Sequence, residues 1–221
     1  MIIAVSMRIT VNDEYFEMRD AISHDWVKTL ERLVVTPLLI PNSLRDPARY
    51  LETLRPQGLL LTGGNDVGPL PGESEGNTIA SPRDSTEIAL LETGLRNRVP
   101  IFGVCRGLQV INSYFGGRVV RDLGRIGPHV NVHHPIEIVA RPFRSMGALQ
   151  EVITNSYHKQ GVSLDGLSPN LRAFALAAGD VIEGLYHPNL PIVAVQWHPE
   201  RENPAADLDR ALLEDWLAKC K

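Results

Sequence analysis

Three short segments carry residue types and spacings able to do covalent chemistry. The first is Gly103-Val104-Cys105-Arg106-Gly107, a Gly-x-nucleophile-x-Gly pattern. A sharp strand-to-helix turn of this form exposes the central side chain, and its flanking glycines relieve the crowding the turn creates. A cysteine placed there sits near a helix N-terminus, whose partial positive charge lowers a thiol pKa that is ordinarily about 8.5. The N–H of Arg106 points to where an oxyanion would form. The same five residues also describe a buried structural cysteine beside a tight turn. The second segment is Gln196-Trp197-His198-Pro199-Glu200. Pro199 biases His198 toward extended backbone, where residues two apart share a side. His198 and Glu200 then fall together as a base and its orienting carboxylate, with Trp197 turned away; alone, the segment also reads as a surface turn. The third is Leu61-Thr62-Gly63-Gly64, where glycines after a buried strand let the backbone approach a ligand and offer an N–H donor. Its spacing fits neither the P-loop nor the dinucleotide fingerprint, so no cofactor is expected.

Such segments need a scaffold that sets them at strand ends. Short apolar runs at 2–5, 37–40, 58–62 and 101–104 predict buried strands. Between them, helical spacing of Ile22, Trp26, Val27, Leu30, Leu33 and Val34 predicts a helix over 18–35. Asp84 with Glu87 reads as the capping pair of a second helix reaching residue 97. A third helix over 106–115 is stopped by Gly116-Gly117. This alternation predicts an α/β fold with a mostly parallel central sheet covered by helices on both faces. Alternating segments at 136–140, 171–177 and 181–186 predict a small antiparallel extension, before 192–195 returns to the central sheet and a helix over 205–218 closes the chain. With no repeat or linker, residues 1–221 are read as a single domain.

Composition excludes several classes. The 221 residues include 22 Lys and Arg against 26 Asp and Glu, a net charge of −4 that gives no basic footprint for nucleic acid. Two cysteines, Cys105 and Cys220, make no disulfide framework and fit a reducing compartment. Cys220, next to the last residue, is expected to be a frayed, inert thiol. No signal peptide or apolar run of ~20 residues is seen, so a cytoplasmic protein without membrane attachment is expected. His129, His133 and His134 raise the question of zinc. However, the alternation of Val130, Val132, Ile136 and Ile138 puts His134 on the face opposite His129 and His133. No nearby cysteine or carboxylate completes a set, so no metal is expected.

Taken together, the segments resemble the class I glutamine amidotransferase superfamily, with its flavodoxin-like sheet, and within it the γ-glutamyl hydrolase branch typified by γ-glutamyl-γ-aminobutyrate hydrolases. The resemblance also draws on Arg83-Asp84 with Glu87, Gln109, Gly116-Gly117 and Asn155-Ser156-Tyr157-His158-Lys159-Gln160. It implies that Cys105 attacks a γ-glutamyl carbonyl, His198 relays the proton and Glu200 orients it, through a glutamyl thioester. It further implies that the N–H groups of Gly64 and Arg106 hold the oxyanion, and that Gln109, Asn155, Ser156 and His158 face a small-molecule substrate. The branch usually has His-His where this chain has His158-Lys159. The stretch from Met7-Arg8 to Trp26 is similar to a γ-glutamyl-CDP-amidate hydrolase subgroup. Arg8, Arg106 and Lys159 are then read as cations converging on the pocket, which favours an anionic leaving group. The alternative is a glutaminase subunit passing ammonia to a separate synthase partner; a homodimer is the assembly carried alongside.

Overall fold

The computed structural model describes residues 1–12, 14–68, 81–124 and 129–220. The chain opens with β1 (Ile2–Ser6), followed by β2 (Arg8–Asn12) and β3 (Glu17–Ala21), which pair antiparallel as a separate two-stranded ribbon. Helix α1 (His24–Arg32), strand β4 (Thr36–Ile40), helix α2 (Pro47–Leu54) and strand β5 (Gly58–Leu61) come next. After them run α3 (Ser81–Arg96), β6 (Ile101–Val104) and α4 (Arg106–Tyr114). The remaining elements are β7 (Val130–Ile138), β8 (Glu151–Tyr157), β9 (Arg172–Ala177), β10 (Val181–Tyr186), β11 (Ile192–Val195) and α5 (Ala206–Leu217).

Nine strands form one sheet in the order β4-β1-β5-β6-β11-β10-β9-β7-β8. The first five are mutually parallel and the last four are joined antiparallel, as the alternating segments predict. Successive residues of the parallel strands feed two separate cores. Val5, Leu60, Phe102, Val104, Val193 and Val195 pack with Trp26, Leu30, Leu212 and Trp216 of α1 and α5. Ala4, Leu59, Leu61, Ile101 and Ala194 pack with Leu51 of α2, Leu90 of α3 and Ile111 of α4. Helices on both faces explain why these strands are apolar without alternation.

Three expectations need correction. Residues 18–21 belong to β3, not to a helix. Ser23 caps α1, its Oγ accepting from the N–H of Asp25 at 3.1 Å, and the exposed polar side chains before it lie on the ribbon. α3 begins at Ser81, so Asp84 lies inside the helix and its carboxylate turns to Gly68 and Arg106. Cys220 is not frayed: it is 5% exposed and packs on Gly58, where an added Cβ would stand 2.7 Å from its Sγ. The helix α2 and the strand β8 were not foreseen, although Asp46-Pro47 is a helix start, with Asp46 Oδ1 accepting from the N–H of Arg49 at 2.8 Å.

The turn between β6 and α4 depends on close backbone approach. A Cβ on Gly107 would lie 2.3 Å from the carbonyl oxygen of Leu61. On Gly94, in α3, the nearest atom would be Ile101 Cδ1 at 3.4 Å, an ordinary contact. Gly107→Ala is therefore expected to cost about 1–3 kcal/mol in urea unfolding. Gly94→Ala should be neutral or stabilising by up to ~1 kcal/mol, because it removes backbone entropy inside a helix.

Candidate active site

Cys105 sits between β6 and α4 with φ 53° and ψ −102°, in the left-handed half of the map where a side chain is strained. Its N–H donates to Val195 O at 2.8 Å, which ties the turn to the neighbouring strand. The glycines on either side are required sterically: a Cβ on Gly103 would meet Ile111 Cδ1 at 2.7 Å and the Gly107 backbone at 2.9 Å. Arg106 is the first residue of α4, so its N–H has no partner within the helix.

His198 and Glu200 follow β11. The Nδ1–H of His198 donates to Glu200 Oε1 at 2.7 Å, and Trp197 points the other way into the core, as the extended backbone requires. Burial alone would push the Cys105 thiol up, but the charge and hydrogen bond of His198, helped by His158, outweigh it and hold the thiol below its ordinary value. Burial alone would pull His198 down, but Cys105 and Glu200 raise it to about 9. Both shifts favour the thiolate paired with the imidazolium over the neutral thiol and imidazole.

The glycine loop after β5 reaches the same point. A Cβ on Gly63 would lie 2.8 Å from His198 Cε1 and 3.4 Å from Cys105 Cβ, and Gly64 takes φ +132°. Arg83 holds this loop, donating through Nη2 to Thr62 O at 2.7 Å and Gly63 O at 3.1 Å. Its Nε donates to Glu87 Oε1 at 2.9 Å, and the other Glu87 oxygen takes Arg106, which also pairs with Asp84.

Two recesses flank Cys105. One, about 130 Å³, is bordered by Arg8, Trp26, Gly64, Tyr157, His198 and Arg201. The other, about 220 Å³, is bordered by Gly64, Arg106, Gln109, His158, Lys159 and Gln160. Each falls below the ~300 Å³ floor of a drug-sized site, and together they reach it, which suits a small ligand.

The residues expected to face substrate divide. Gln109, Lys159 and Arg8 border the recesses. Asn155 instead clamps the backbone of His198, accepting from its N–H and donating to its carbonyl, both at 2.9 Å. Ser156 Oγ donates to His129 O at 2.6 Å and is fully buried. The three cations expected to converge do not: Arg106 is 1% exposed with its guanidinium tied to Asp84 and Glu87, and Arg8 and Lys159 border different recesses.

Residues not foreseen complete the surroundings. Arg201 lies 4.3 Å over the Tyr157 ring. Behind His198, Asn203 Oδ1 accepts from the N–H of Asn155 at 3.0 Å, and Asp209 accepts from Asn203 Nδ2 and Trp197 Nε1, both at 2.7 Å. Burial raises Asp209 to about 7. The buried Glu183 gave one sequence signal, an acidic residue inside an otherwise apolar strand.

The reading of the histidines is also corrected. A bulge at Asn131 (φ 55°) shifts the phase of β7, so His129 and His134 share a face. They meet His158, with the ring centroids of His134 and His158 at 5.1 and 4.9 Å from that of His129. A second bulge, at Glu183 in β10, aims a carboxylate at all three.

A parallel-sheet α/β fold with a cysteine elbow facing a His-Glu pair defines a class I glutamine amidotransferase-like protein. A glutamine amidotransferase structure from Thermotoga maritima shares the fold, with a TM-score of 0.65 and 14% identity over 99% of this chain and 93% of that one. The family model of peptidase C26 matches residues 1–200, and the chain belongs to that family of hydrolases. It is 27% identical to the γ-glutamyl-CDP-amidate hydrolase of Campylobacter jejuni, over the full length of both chains. It is 32% identical to the γ-glutamyl-γ-aminobutyrate hydrolase of Escherichia coli K12, over 84% of this chain and 80% of that one. Among the described residues, no helix is long and apolar enough to cross a membrane.

Iodoacetamide separates the two cysteines. Alkylation of Cys105 should persist well below the ordinary thiol pKa of about 8.5, because its thiolate is paired with an imidazolium. Cys220, pushed up to about 12 by burial, should stay unmodified until the protein unfolds. Mass spectrometry of the labelled peptides, across roughly two pH units either side of neutrality, reads both.

Proposed function

We propose that the protein hydrolyses the γ-glutamyl C–N bond of a small γ-glutamyl conjugate through a glutamyl thioester on Cys105. The observation that carries this reading is the left-handed Cys105 elbow set against the His198–Glu200 pair, in a chain of the peptidase C26 family. The Cys105 thiolate adds to the γ-carbonyl carbon, and the N–H groups of Gly64 and Arg106 hold the resulting oxyanion. As the C–N bond breaks, the imidazolium of His198 protonates the departing nitrogen. Water then adds to the thioester, His198 takes its proton, and glutamate leaves as the thiolate and imidazolium re-form. Glu200 keeps the imidazole in the required tautomer and supports its positive charge.

In this reading the two recesses take the two halves of the substrate. Gln109 and Lys159 border the glutamyl side. Arg8 and Arg201 border the other, and they match a leaving group that carries negative charge. A phosphoramidate, a nucleotide amidate or an amino acid fits that description.

Cys105→Ala should lower kcat by roughly 10⁴-fold or more with the fold retained. Glu200→Gln should cost at least about tenfold less than that, because an orienting carboxylate forms no bond to substrate. Glutamate release from a panel of γ-glutamyl compounds, with free glutamine as comparator, measures both. Free glutamine as the best substrate would favour a glutaminase instead.

In the same panel, the advantage in kcat/KM of an anionic over a neutral leaving group should shrink as salt is raised. It should fall on the order of fivefold or more in Arg8→Ala, while the neutral conjugate is unaffected. Equal rates for both leaving groups, unchanged in Arg8→Ala, would remove the anionic assignment.

A further inference from the structure

Five buried side-chain atoms beside the glutamyl recess have no hydrogen-bond partner: His129 Nδ1, His134 Nε2, His158 Nε2 and both carboxylate oxygens of Glu183. Four ligand atoms, one from each residue, lie within 4.8 Å of one another. Glu183 Oε1 stands 3.5 Å from His158 Nε2, 3.6 Å from His134 Nε2 and 4.0 Å from His129 Nδ1. We propose that these three histidines and Glu183 form a binding site for a divalent transition-metal ion, zinc foremost, that braces the antiparallel half of the sheet.

The chemistry of the donors supports this. His158 Nδ1 lies 3.0 Å from Gln160 O, and a carbonyl can only accept, so Nδ1 carries the hydrogen and loss of the second ring proton leaves an Nε2 lone pair free to bind a metal. A metal-bound histidine is oriented in this way, its second nitrogen donating to a backbone carbonyl. A lone pair facing a carboxylate oxygen in a buried site is repulsive; a proton relieves one such pair at a time, whereas a metal ion placed between them serves all four donors at once. A tetrahedral zinc with ligands at about 2.0–2.1 Å holds them roughly 3.3 Å apart, a little closer than the spacings seen here. Three imidazoles and one carboxylate suit zinc, cobalt or nickel; magnesium and calcium want oxygen donors throughout.

The backbone is also arranged for the cluster. The bulges at Asn131 and Glu183 each re-aim a strand toward this point, and without them the four side chains would not share a face. Four protein ligands fill a tetrahedral shell, so the ion braces and does not activate water. It would tie β7 to β10 and hold His158, whose partner Gln160 O also accepts from Gln109 Nε2 at 3.0 Å. A groove bordered by Asp122, His129, His158 and Lys159 gives access from solvent. The site does not depend on the reaction proposed above, since metal content decides it.

The test uses the full chain carrying Cys105→Ser, so that zinc held by Cys105 and His198 does not confuse the count. Protein purified in metal-depleted buffer and loaded with zinc should retain about one equivalent by mass spectrometry after gel filtration. Its Tm should fall on chelation and recover with zinc, and cobalt loading should give the visible bands of a tetrahedral ion. His134→Ala, at the rim of the cluster, and Glu183→Gln should each weaken binding on the order of 100-fold or more. If Glu183→Gln does not fold, His134→Ala and the parent protein carry the decision. The proposal is overturned if the Cys105→Ser protein retains no zinc and shows no Tm shift, or if it binds zinc equally with His134→Ala added.

Discussion

Arg83, Glu87 and Arg106 are buried and, with the partly exposed Asp84, form a network in which two guanidinium groups share two carboxylates, and the candidate site hangs on it. Arg83 grips the carbonyls of Thr62 and Gly63, while Arg106 is the residue after Cys105. Glu87 joins the two arginines, so the glycine loop and the nucleophile turn cannot move independently. Burial lowers Arg83 to about 10 and Arg106 to about 9, which leaves both charged at neutral pH. Removing one member would strand a buried charge, a loss of about 3–5 kcal/mol in comparable networks. The strain of a cysteine at φ 53° persists because its surroundings over-determine it in this way.

The parallel half of the sheet supplies the strand ends, and the antiparallel half supplies the support behind them. β5, β6 and β11 are adjacent, and their carboxyl ends bring together Gly63-Gly64, Cys105 and His198, where open α/β sheets bind ligands. From the other half, Asn155 on β8 reaches across to hold both backbone groups of His198. Asn155 is held in turn by Asn203, and Asn203 by Asp209 on α5. The His198 imidazole is thus braced through its main chain as well as through Glu200.

The two cysteines show how environment decides reactivity. Both are buried, yet Cys105 has an imidazole and a helix N-terminus beside it and is held low. Cys220 has apolar neighbours, and burial raises it to about 12. The same contrast applies to the basic residues. Arg106 is absorbed by carboxylates, whereas Arg8 and Lys159 are exposed at the two recesses.

What the amino-acid order determined by itself is everything that rests on local physics. The buried strands, the Gly-x-Cys-x-Gly turn and the shared side of His198 and Glu200 follow from periodicity, glycine sterics and the restriction that Pro199 imposes. Those effects act over a few residues. The tertiary structure alone decided what depends on partners far along the chain. Asp84 and Glu87 read as a capping pair until Arg106 is seen to take their carboxylates, and Asn155 and Ser156 read as substrate contacts until the backbone they bind is in view. His129 and His134 fell on opposite faces by alternation because a single extra residue at Asn131 inverts the phase of a strand, and a bulge forms only against a neighbouring strand. Glu183, far away in sequence, joins them because sheet pairing brings β10 alongside, a contact that spacing within one segment does not encode.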